Sequence, residues 1–288
     1  MTSTTGSREQ LTAKPVRRAV VRTYGSEQTI GPALARLATV ARDAGVELVV
    51  NKGETSQHEI PTADGAAAEP DLVVVLGGDG TMLRALGRFL GTAIPVIGIN
   101  FGRLGFLASI PRGELETGLA RVFAGDYAVV ELPTLEVEVG DERRVAVNDL
   151  VVTSGVVGRM IQLEWAIGDE KLGRLGCDGV VCSTPPGSTG YNFSNGGPVL
   201  VWGLDAMAIT FVAPHSLMAR PLVVPRGRDA IFWNRSPDIP ASVLVDGQRV
   251  GDLAPGARVR VRIGEQRSLL ATLPEVTFFS RYSRSFAS

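Results

Sequence analysis

The sequence predicts an α/β protein, with an N-terminal doubly wound α/β domain followed by a C-terminal, mostly β domain. Up to about residue 127, continuous apolar segments alternate with segments whose apolar residues recur at helical spacing. Beyond that point, short stretches alternate apolar and polar residues and are separated by turn residues. With 288 residues, of which 44% are hydrophobic, the chain is long and apolar enough for two packed domains.

The N-terminal domain is predicted to cover residues 1–127. Residues 1–15 are polar and are expected to form a disordered leader, and residues 51–70 a loop. The alternation of strands and helices in the remainder favours a parallel sheet covered on both faces. The predicted strands are 18–24, 46–50, 71–76 and 95–99, and the predicted helices are 29–44, Thr81 to Gly91 and 111–124.

The C-terminal domain is predicted to cover residues 128–272. Its segments alternate apolar and polar side chains with a period of two, which is typical of half-exposed strands. The predicted strands are 135–140, 144–152, 160–168, 243–247 and 258–264, with a shorter one at 180–183.

Charge and hydropathy argue against nucleic acids and membranes as partners of this protein. The formal net charge is −1, whereas a nucleic-acid-binding domain usually carries a basic excess. No segment approaches the roughly 20 apolar residues of a membrane-spanning helix, and the N-terminus lacks the apolar core of a signal peptide. We therefore expect a cytoplasmic protein that binds small molecules, with neither nucleic acid nor membrane as partner.

The sharpest local motif is the turn Gly77-Gly78-Asp79-Gly80, which joins the predicted strand 71–76 to a helix. Ligands bind open α/β sheets at this place, outside the carboxyl ends of the strands. Glycines let backbone amides approach an anion, and the helix N-terminus adds partial positive charge. The turn therefore predicts a phosphate site.

Asp79 needs a separate explanation, because a carboxylate repels phosphate. It is explained if Asp79 faces a hydroxyl that must lose a proton, or a phosphate-bound Mg²⁺. The alternative is that Asp79 merely caps the following helix through an Asx turn.

A second glycine-rich stretch covers residues 176–199. Its hydroxyls at Ser183, Thr184, Ser188 and Thr189, with the aromatic ring of Tyr191, suit a hydrogen-bonding ligand such as a nucleoside. The alternative is an ordinary loop built from turn-forming residues. No P-loop and no G-x-G-x-x-G dinucleotide motif is present in the sequence.

Taken together, these motifs resemble those of NAD kinases. The resemblance covers roughly residues 70–250 in order and spacing. It rests on GGDGT (77–81), NFGRLGF (100–106), Asn148-Asp149, DGVVCSTPPGSTGYNFSNGGPV (178–199), PHSLMARPLVV (214–224) and DGQ (246–248).

The resemblance implies an enzyme that transfers a phosphoryl group from ATP or polyphosphate to the 2′-hydroxyl of the adenosine ribose of NAD, forming NADP. Asp79 would be the general base. The donor, with Mg²⁺, would lie against Gly77, Gly78 and Gly80, near Arg84. The resemblance further implies that residues 273–288 rejoin the first domain and that the chain forms a homodimer or homotetramer. The dinucleotide site would be lined by Asn148, Asp149, Arg159, Gly176, Asp178, Thr189, Gly190, Tyr191, Ser194 and Gln248.

Three departures from the usual pattern of the family involve four positions. Asp149 stands where a glutamate is usual, so its carboxylate reaches one methylene less far. Pro186 replaces a threonine and removes one amide donor, and Gly190 replaces an alanine. Gly176 stands where some relatives carry a charged residue, and the space it leaves predicts that NADH is accepted as well as NAD.

Two other functions share parts of these motifs. A diacylglycerol-type lipid kinase uses the same GGDG turn, but it needs an apolar or basic amphipathic surface that the sequence lacks. A non-catalytic sensor would keep the NAD-binding residues without turnover. The intact Asp79 argues against a sensor.

Overall fold

A computed structural model describes residues 13–24, 27–49, 69–102 and 105–286. The described residues form two compact units. The first unit comprises those up to Glu131 together with those from Leu269 onward, and the second unit comprises Leu132–Ser268. An α/β unit and a mostly β unit confirm the predicted fold class. The expected leader, apart from residues 13–15, and nearly all of the loop at 51–70 lie outside the described residues.

The first unit is built on a parallel sheet, and four of its strands are the predicted apolar runs. Its central strand is buried along its whole length, as expected for a strand covered on both faces. The strands are β1 (Arg18–Thr23), β2 (Glu47–Val49), β3 (Leu72–Gly77), β4 (Val96–Asn100) and β5 (Ile110–Pro111). The strand order is β2-β1-β3-β4, and the short β5 pairs with β4.

Three helices follow the strands of this unit: α1 (Glu27–Asp43), α2 (Asp79–Arg88) and α3 (Leu115–Phe123). Helix α2 begins two residues before the predicted start, because Gly78 adopts an extended conformation and its carbonyl accepts the amides of Thr81 and Met82. Asp79 is therefore the first residue of the helix.

The second unit contains two sheets with a shared apolar core. The elements are β6 (Ala128–Val139), β7 (Glu142–Ala146), β8 (Asp149–Ser154), β9 (Ile161–Ile167), β10 (Glu170–Cys177), β11 (Gly179–Ser183), α4 (Tyr191–Ser194), β12 (Ala206–Val212), β13 (Leu222–Pro225), β14 (Ala230–Asn234), β15 (Ala241–Val245), β16 (Gln248–Leu253) and β17 (Arg258–Thr272). In one sheet the order is β10-β9-β14-β17, with β6 paired to β17 and β7; in the other it is β13-β12-β11-β8-β15-β16.

One predicted strand of this unit is wrong. The sequence predicted a single strand over 144–152, but the chain breaks between β7 and β8. The cause is Asp246, whose carboxylate accepts the amides of Val147 (2.8 Å), Asn148 (2.7 Å) and Asp149 (3.2 Å). These amides bond to a side chain, so Asn148 lies in an irregular segment between the two strands.

The last helix, α5 (Phe278–Phe286), belongs to the first unit. It begins behind Thr277, whose hydroxyl accepts the amide of Ser280 at 3.2 Å, as in an N-terminal cap. Within the described ranges, none of the helices is both long and apolar enough to cross a membrane.

Candidate active site

Asp79 lies at the carboxyl end of β3 and points toward the segment that follows β4. Its Oδ2 accepts the amide of Phe106 at 2.6 Å, and its Oδ1 accepts the amide of Leu107 at 3.0 Å. The residue before helix α2 is Gly78, and no side chain caps that helix. The Asx-cap interpretation is therefore wrong, because the carboxylate binds amides 27 and 28 residues away.

Glycines near Asp79 allow close packing, of the Asp79 carboxylate against Gly105 and of the Gly78 backbone against Gly102. A Cβ added at Gly105 would lie 2.2 Å from Asp79 Oδ1, and one at Gly102 would lie 3.2 Å from the Cα of Gly78. Real Cβ atoms essentially never approach other heavy atoms as closely as the first of these distances. The ends of the neighbouring parallel strands β3 and β4 thus meet where open α/β sheets bind ligands.

The opening of helix α2 offers an anion a free approach. A Cβ at Gly80 would have no heavy atom within 4 Å. One turn further on, Arg84 is exposed, and its guanidinium carbon lies 4.6 Å from the ring centroid of Tyr24. The helix N-terminus and this cation both favour a phosphate near the turn.

In the second unit, the turn after β11 is bonded to the break between β7 and β8. The hydroxyl of Thr184 donates to the carbonyl of Val147 at 2.7 Å, and its amide donates to the carbonyl of Asn148 at 2.9 Å. A Cβ at Gly187 would lie 2.1 Å from the carbonyl oxygen of Asn148. The turn and Asn148 therefore form one tightly packed substructure.

Three of the four hydroxyls that the sequence predicted to bind a ligand belong to residues that are buried in the structure. Ser183, Thr184 and Ser188 are buried. The hydroxyl of Ser188 donates to the carbonyl of Pro185 at 2.6 Å and accepts the amide of Leu200 at 2.8 Å. The Thr184 and Ser188 hydroxyls hold the turn together, so these two are corrected from ligand-binding to structural residues.

The accessible surface of the turn is formed by the residues that follow. Gly190 and Tyr191 are exposed, and so is Ser194; Thr189 is half-buried and donates to the carbonyl of Pro186 at 3.0 Å. Tyr191 is 46% exposed, so its side chain is accessible for stacking on a base.

Asp149 is buried beside a second carboxylate, that of Asp246. Burial, and then the negative charge of Asp246, raise the pKa of Asp149 to about 7. Burial also raises the pKa of Asp246, and the three amides that it accepts oppose this shift. Near neutral pH, Asp149 therefore exchanges between a form that only accepts hydrogen bonds and a form that also donates one.

We expect the stability of the second unit to fall as pH rises through the titration of Asp149. In the unfolded chain this carboxyl ionises near its ordinary pKa of 3.8, so between that pH and about 7 unfolding releases a proton. Asp149→Asn removes the effect. Relative to the parent, the variant should gain about 2–3 kcal/mol in free energy of unfolding between pH 5 and pH 8.

Tryptophan fluorescence during urea unfolding measures this difference, because all three tryptophans, Trp165, Trp202 and Trp233, lie in the second unit. The control is Asp252→Asn. Arg249 lowers the pKa of this carboxyl, so the carboxyl stays ionised over the same pH range. The difference in free energy of unfolding between Asp252→Asn and the parent should therefore stay constant. Parallel stability curves for the parent and Asp149→Asn would contradict the assignment.

The remaining predicted residues of this unit form a second group at the other end of the strands. Asp149 pairs with Ser183 and Gly179 pairs with Thr153, so Asp178 lies about 17 Å from Asp149 at 3.3 Å per residue. The carbonyl of Gly176 accepts the amide of His215 at 2.8 Å, and Arg159 pairs with Asp238 at 3.6 Å.

Thus the structure places three parts of the predicted site near one end of the sheet: Asn148, Asp149 and the segment 189–194. Gln248 opens β16 next to the Asp246 turn, at the same end. Arg159, Gly176 and Asp178 are not part of this group. A Cβ at Gly176 would lie 2.9 Å from Nε2 of Gln162, so a side chain there would displace a neighbour.

Several site residues were missed by the sequence analysis. The amides of Phe106 and Leu107 carry no residue-specific signal, and nothing distinguishes Gly187 from the other glycines of the 176–199 stretch. Asp246 did have a signal, because Asp-Gly between two strands is typical of a two-residue hairpin turn. Its positive φ of 49° fits that turn. In the described part of the chain, no cluster of three or more His, Cys, Asp or Glu side chains could hold a metal ion.

The chain matches two protein-family patterns along most of its length. Residues 13–127 match the ATP-NAD kinase N-terminal domain, and residues 147–273 match the ATP-NAD kinase C-terminal domain. The NAD kinase of Heliobacterium modesticaldum is 42% identical over 214 residues, covering 73% of this chain and 76% of the relative. The NAD kinase of Leifsonia xyli subsp. xyli is 37% identical over 270 residues, covering 84% and 85%.

Solved structures share the fold. The yeast NADH kinase complexed with NADH superposes with a TM-score of 0.81 at 24% identity, covering 95% of this chain and 88% of that one. The NAD kinase from Archaeoglobus fulgidus in complex with ATP has a TM-score of 0.75 at 25% identity, covering 94% and 97%.

Proposed function

Because the chain belongs to the NAD kinase family, we propose that Asp79 accepts the proton of the ribose 2′-hydroxyl of NAD as this oxygen attacks the donor phosphate. The protein is an enzyme, a phosphotransferase that converts NAD to NADP. Neither a lipid kinase nor a non-catalytic sensor is favoured by these relationships.

One observation carries the role of Asp79: its carboxylate is held at the carboxyl end of β3 by the amides of Phe106 and Leu107. A carboxylate offers about four acceptor positions, and the two amides use two of them. The others are available to a hydroxyl. Fixed orientation matters here because phosphoryl transfer depends largely on alignment of the attacking oxygen.

The phosphoryl donor, ATP or polyphosphate, would lie against Gly77, Gly78 and Gly80. The open N-terminus of α2 and the exposed guanidinium of Arg84 support this position, since both favour phosphate. Mg²⁺ carried by the donor would neutralise charge on the transferred phosphoryl group. Oxygen ligands are those that Mg²⁺ prefers, so the Asp79 carboxylate fits a nearby ion.

The dinucleotide would bind along the second unit. Asn148 and Asp149 would receive the ribose and adenine region, with Tyr191 stacking on a base and Gln248 at the same end of the sheet. A glycine at 176 supports acceptance of NADH as well as NAD. A cytoplasmic location stays a prediction of the sequence.

The activity is tested by incubating the purified protein with Mg²⁺, either NAD or NADH, and either ATP or polyphosphate. We expect NADP from NAD with at least one donor, and NADPH from NADH. Chelation with EDTA should abolish turnover. No product from NAD with either donor would contradict the proposed function. Turnover of NAD but not of NADH would contradict the role given to Gly176.

A homo-oligomer is supported by the separation of the two groups of dinucleotide-binding residues. Asp149 and Asp178 lie at opposite ends of the same strand pair, so one bound molecule either extends along the sheet or contacts two copies of the chain. We infer the second arrangement, in which a partner copy supplies Asp178.

Subunit complementation tests this arrangement. Asp149→Asn and Asp178→Asn should each be nearly inactive as pure oligomers. Co-expressed with distinct tags and purified as mixed dimers, they should recover about half of the parent's activity, because one of the two sites is intact. If both residues serve the same copy's site, every site in the mixture carries one substitution, and no activity returns.

A further inference from the structure

Arg281 of helix α5 is buried, with no exposed side-chain surface, and holds the chain segment that binds Asp79. Its Nη1 donates to the carbonyls of Phe106 (2.8 Å), Leu107 (3.1 Å) and Ala108 (3.1 Å). Its Nη2 donates to the hydroxyls of Ser109 and Thr272, both at 2.8 Å. All these contacts lie within the first unit.

A single peptide group connects the guanidinium to the Asp79 carboxylate. The carbonyl of Phe106 accepts Nη1 of Arg281, and the amide of the same peptide, that of Leu107, donates to Oδ1 of Asp79. Hydrogen bonds on both sides of one peptide polarise it and reinforce each other. The positive charge therefore strengthens the donor that binds the carboxylate and fixes its direction.

Simple packing does not explain an arginine at this position. Burial, and then the charge of Arg284, lower the pKa of Arg281 to about 10, although the negative charge of Asp79 opposes the shift. A buried charge is costly unless it is paired and hydrogen-bonded, whereas an apolar side chain would fill the same space without that cost.

From this geometry we propose that Arg281 is a positioning residue for phosphoryl transfer, acting through the 106–109 segment to orient the Asp79 carboxylate. The inference rests on the proposed role of Asp79. It assigns the C-terminal helix a part in the reaction although it is distant in sequence from every recognised motif. Loss of the guanidinium should impair the rate and leave NAD affinity nearly unchanged, because the hydrogen bonds described above go to residues 106–109 and Thr272, none of which is a proposed NAD-binding residue.

The test compares steady-state kinetics of the full-length variants Arg281→Met and Arg281→Lys with the parent. We expect Arg281→Met to lower kcat about 100-fold, as expected for a misplaced reacting group, with KM for NAD changed less than about threefold. Arg281→Lys keeps a cation that can reach the carbonyls and should recover part of the loss. If Arg281→Met does not fold, as judged by its thermal unfolding, a reduced kcat at parental KM in Arg281→Lys carries the test.

The matched control is Arg121→Met. Arg121 also binds the C-terminal segment to the first unit, through an ion pair with Glu275 at 2.5 Å, but it does not contact residues 106–109. Its kcat should equal that of the parent. An equal fall in kcat for both variants would reduce Arg281 to a structural tether and overturn the proposal.

A double-mutant cycle with Asp79→Asn separates the two proposals. If Arg281 acts through Asp79, Arg281→Met should add less than about threefold to the loss caused by Asp79→Asn. Multiplicative losses would overturn the positioning role while leaving Asp79 as the base. Near-normal activity of Asp79→Asn alone would instead overturn the proposed function.

Discussion

Asp79→Asn should lower kcat for NADP formation by about 10²–10⁴-fold, the range that general-base catalysis contributes, with a much smaller change in KM for NAD. The asparagine keeps the size of the side chain but cannot take the proton of the ribose hydroxyl. Its NH₂ group would also face one of the two amides, of Phe106 or Leu107, that now donate to the carboxylate. A loss of stability of about 1–3 kcal/mol should accompany the loss of rate.

Asp71→Asn is the matched control for that experiment. Asp71 lies in the same unit, and its carboxylate also accepts two main-chain amides, those of Arg17 and Arg18, both at 2.9 Å. Both amides bond to the same oxygen, Oδ2, whose place the amide oxygen of asparagine can take, so this variant should lose less stability than Asp79→Asn and retain the parent's kcat. A similar fall in kcat in the two variants would mean that the rate tracks the integrity of the unit rather than a proton acceptor at position 79.

Gly187→Ala should raise KM for NAD by about 10- to 100-fold. The new Cβ would lie 2.1 Å from the carbonyl oxygen of Asn148, and that carbonyl is fixed by its hydrogen bond from Thr184. Relieving such an overlap costs about 1–3 kcal/mol, which is a tenfold to hundredfold loss if it displaces Asn148 from the bound nucleotide. Isothermal titration with NAD, beside the kinetics, distinguishes weaker binding from slower transfer.

The comparison variant is Gly251→Ala in strand β16 of the same unit. A Cβ there meets Cγ1 of Val139 at 3.7 Å, an ordinary van der Waals distance. Its KM should equal that of the parent. If Gly187→Ala also binds NAD normally, the turn does not position Asn148 for the ligand.

The sequence predicts well those parts of the site that depend on local pattern. The apolar run 71–76 predicts a buried strand, and the glycines after it place Asp79 at the end of that strand. The partners of Asp79 could not be predicted, because main-chain amides 27 and 28 residues away leave no mark on residue identity. The function of Arg281 was hidden for the same reason, since three of its acceptors are main-chain carbonyls.

The errors in the second unit have a related cause. Alternation of apolar and polar residues continues through Asn148, so the sequence predicts one strand. The structure has two strands there, β7 and β8, because Asp246 binds the amides between them. The hydroxyls of Thr184 and Ser188 are chemically the same as those of exposed turn residues. Their burial follows from packing against the 147–149 segment, which is fixed by contacts far away in the sequence.

The Asp246 carboxylate has a consequence for how the protein acquires its activity. It joins residues separated by 97 to 99 positions, so Asn148 reaches its final conformation after the hairpin of β15 and β16 has docked against β8. Contacts of such long range carry a large loop-closure entropy and form late. A nascent chain that has emerged from the ribosome only as far as β12 contains Asn148 and Asp149 but not Asp246, which fixes their backbone. We therefore expect affinity for NAD to arise near the end of folding.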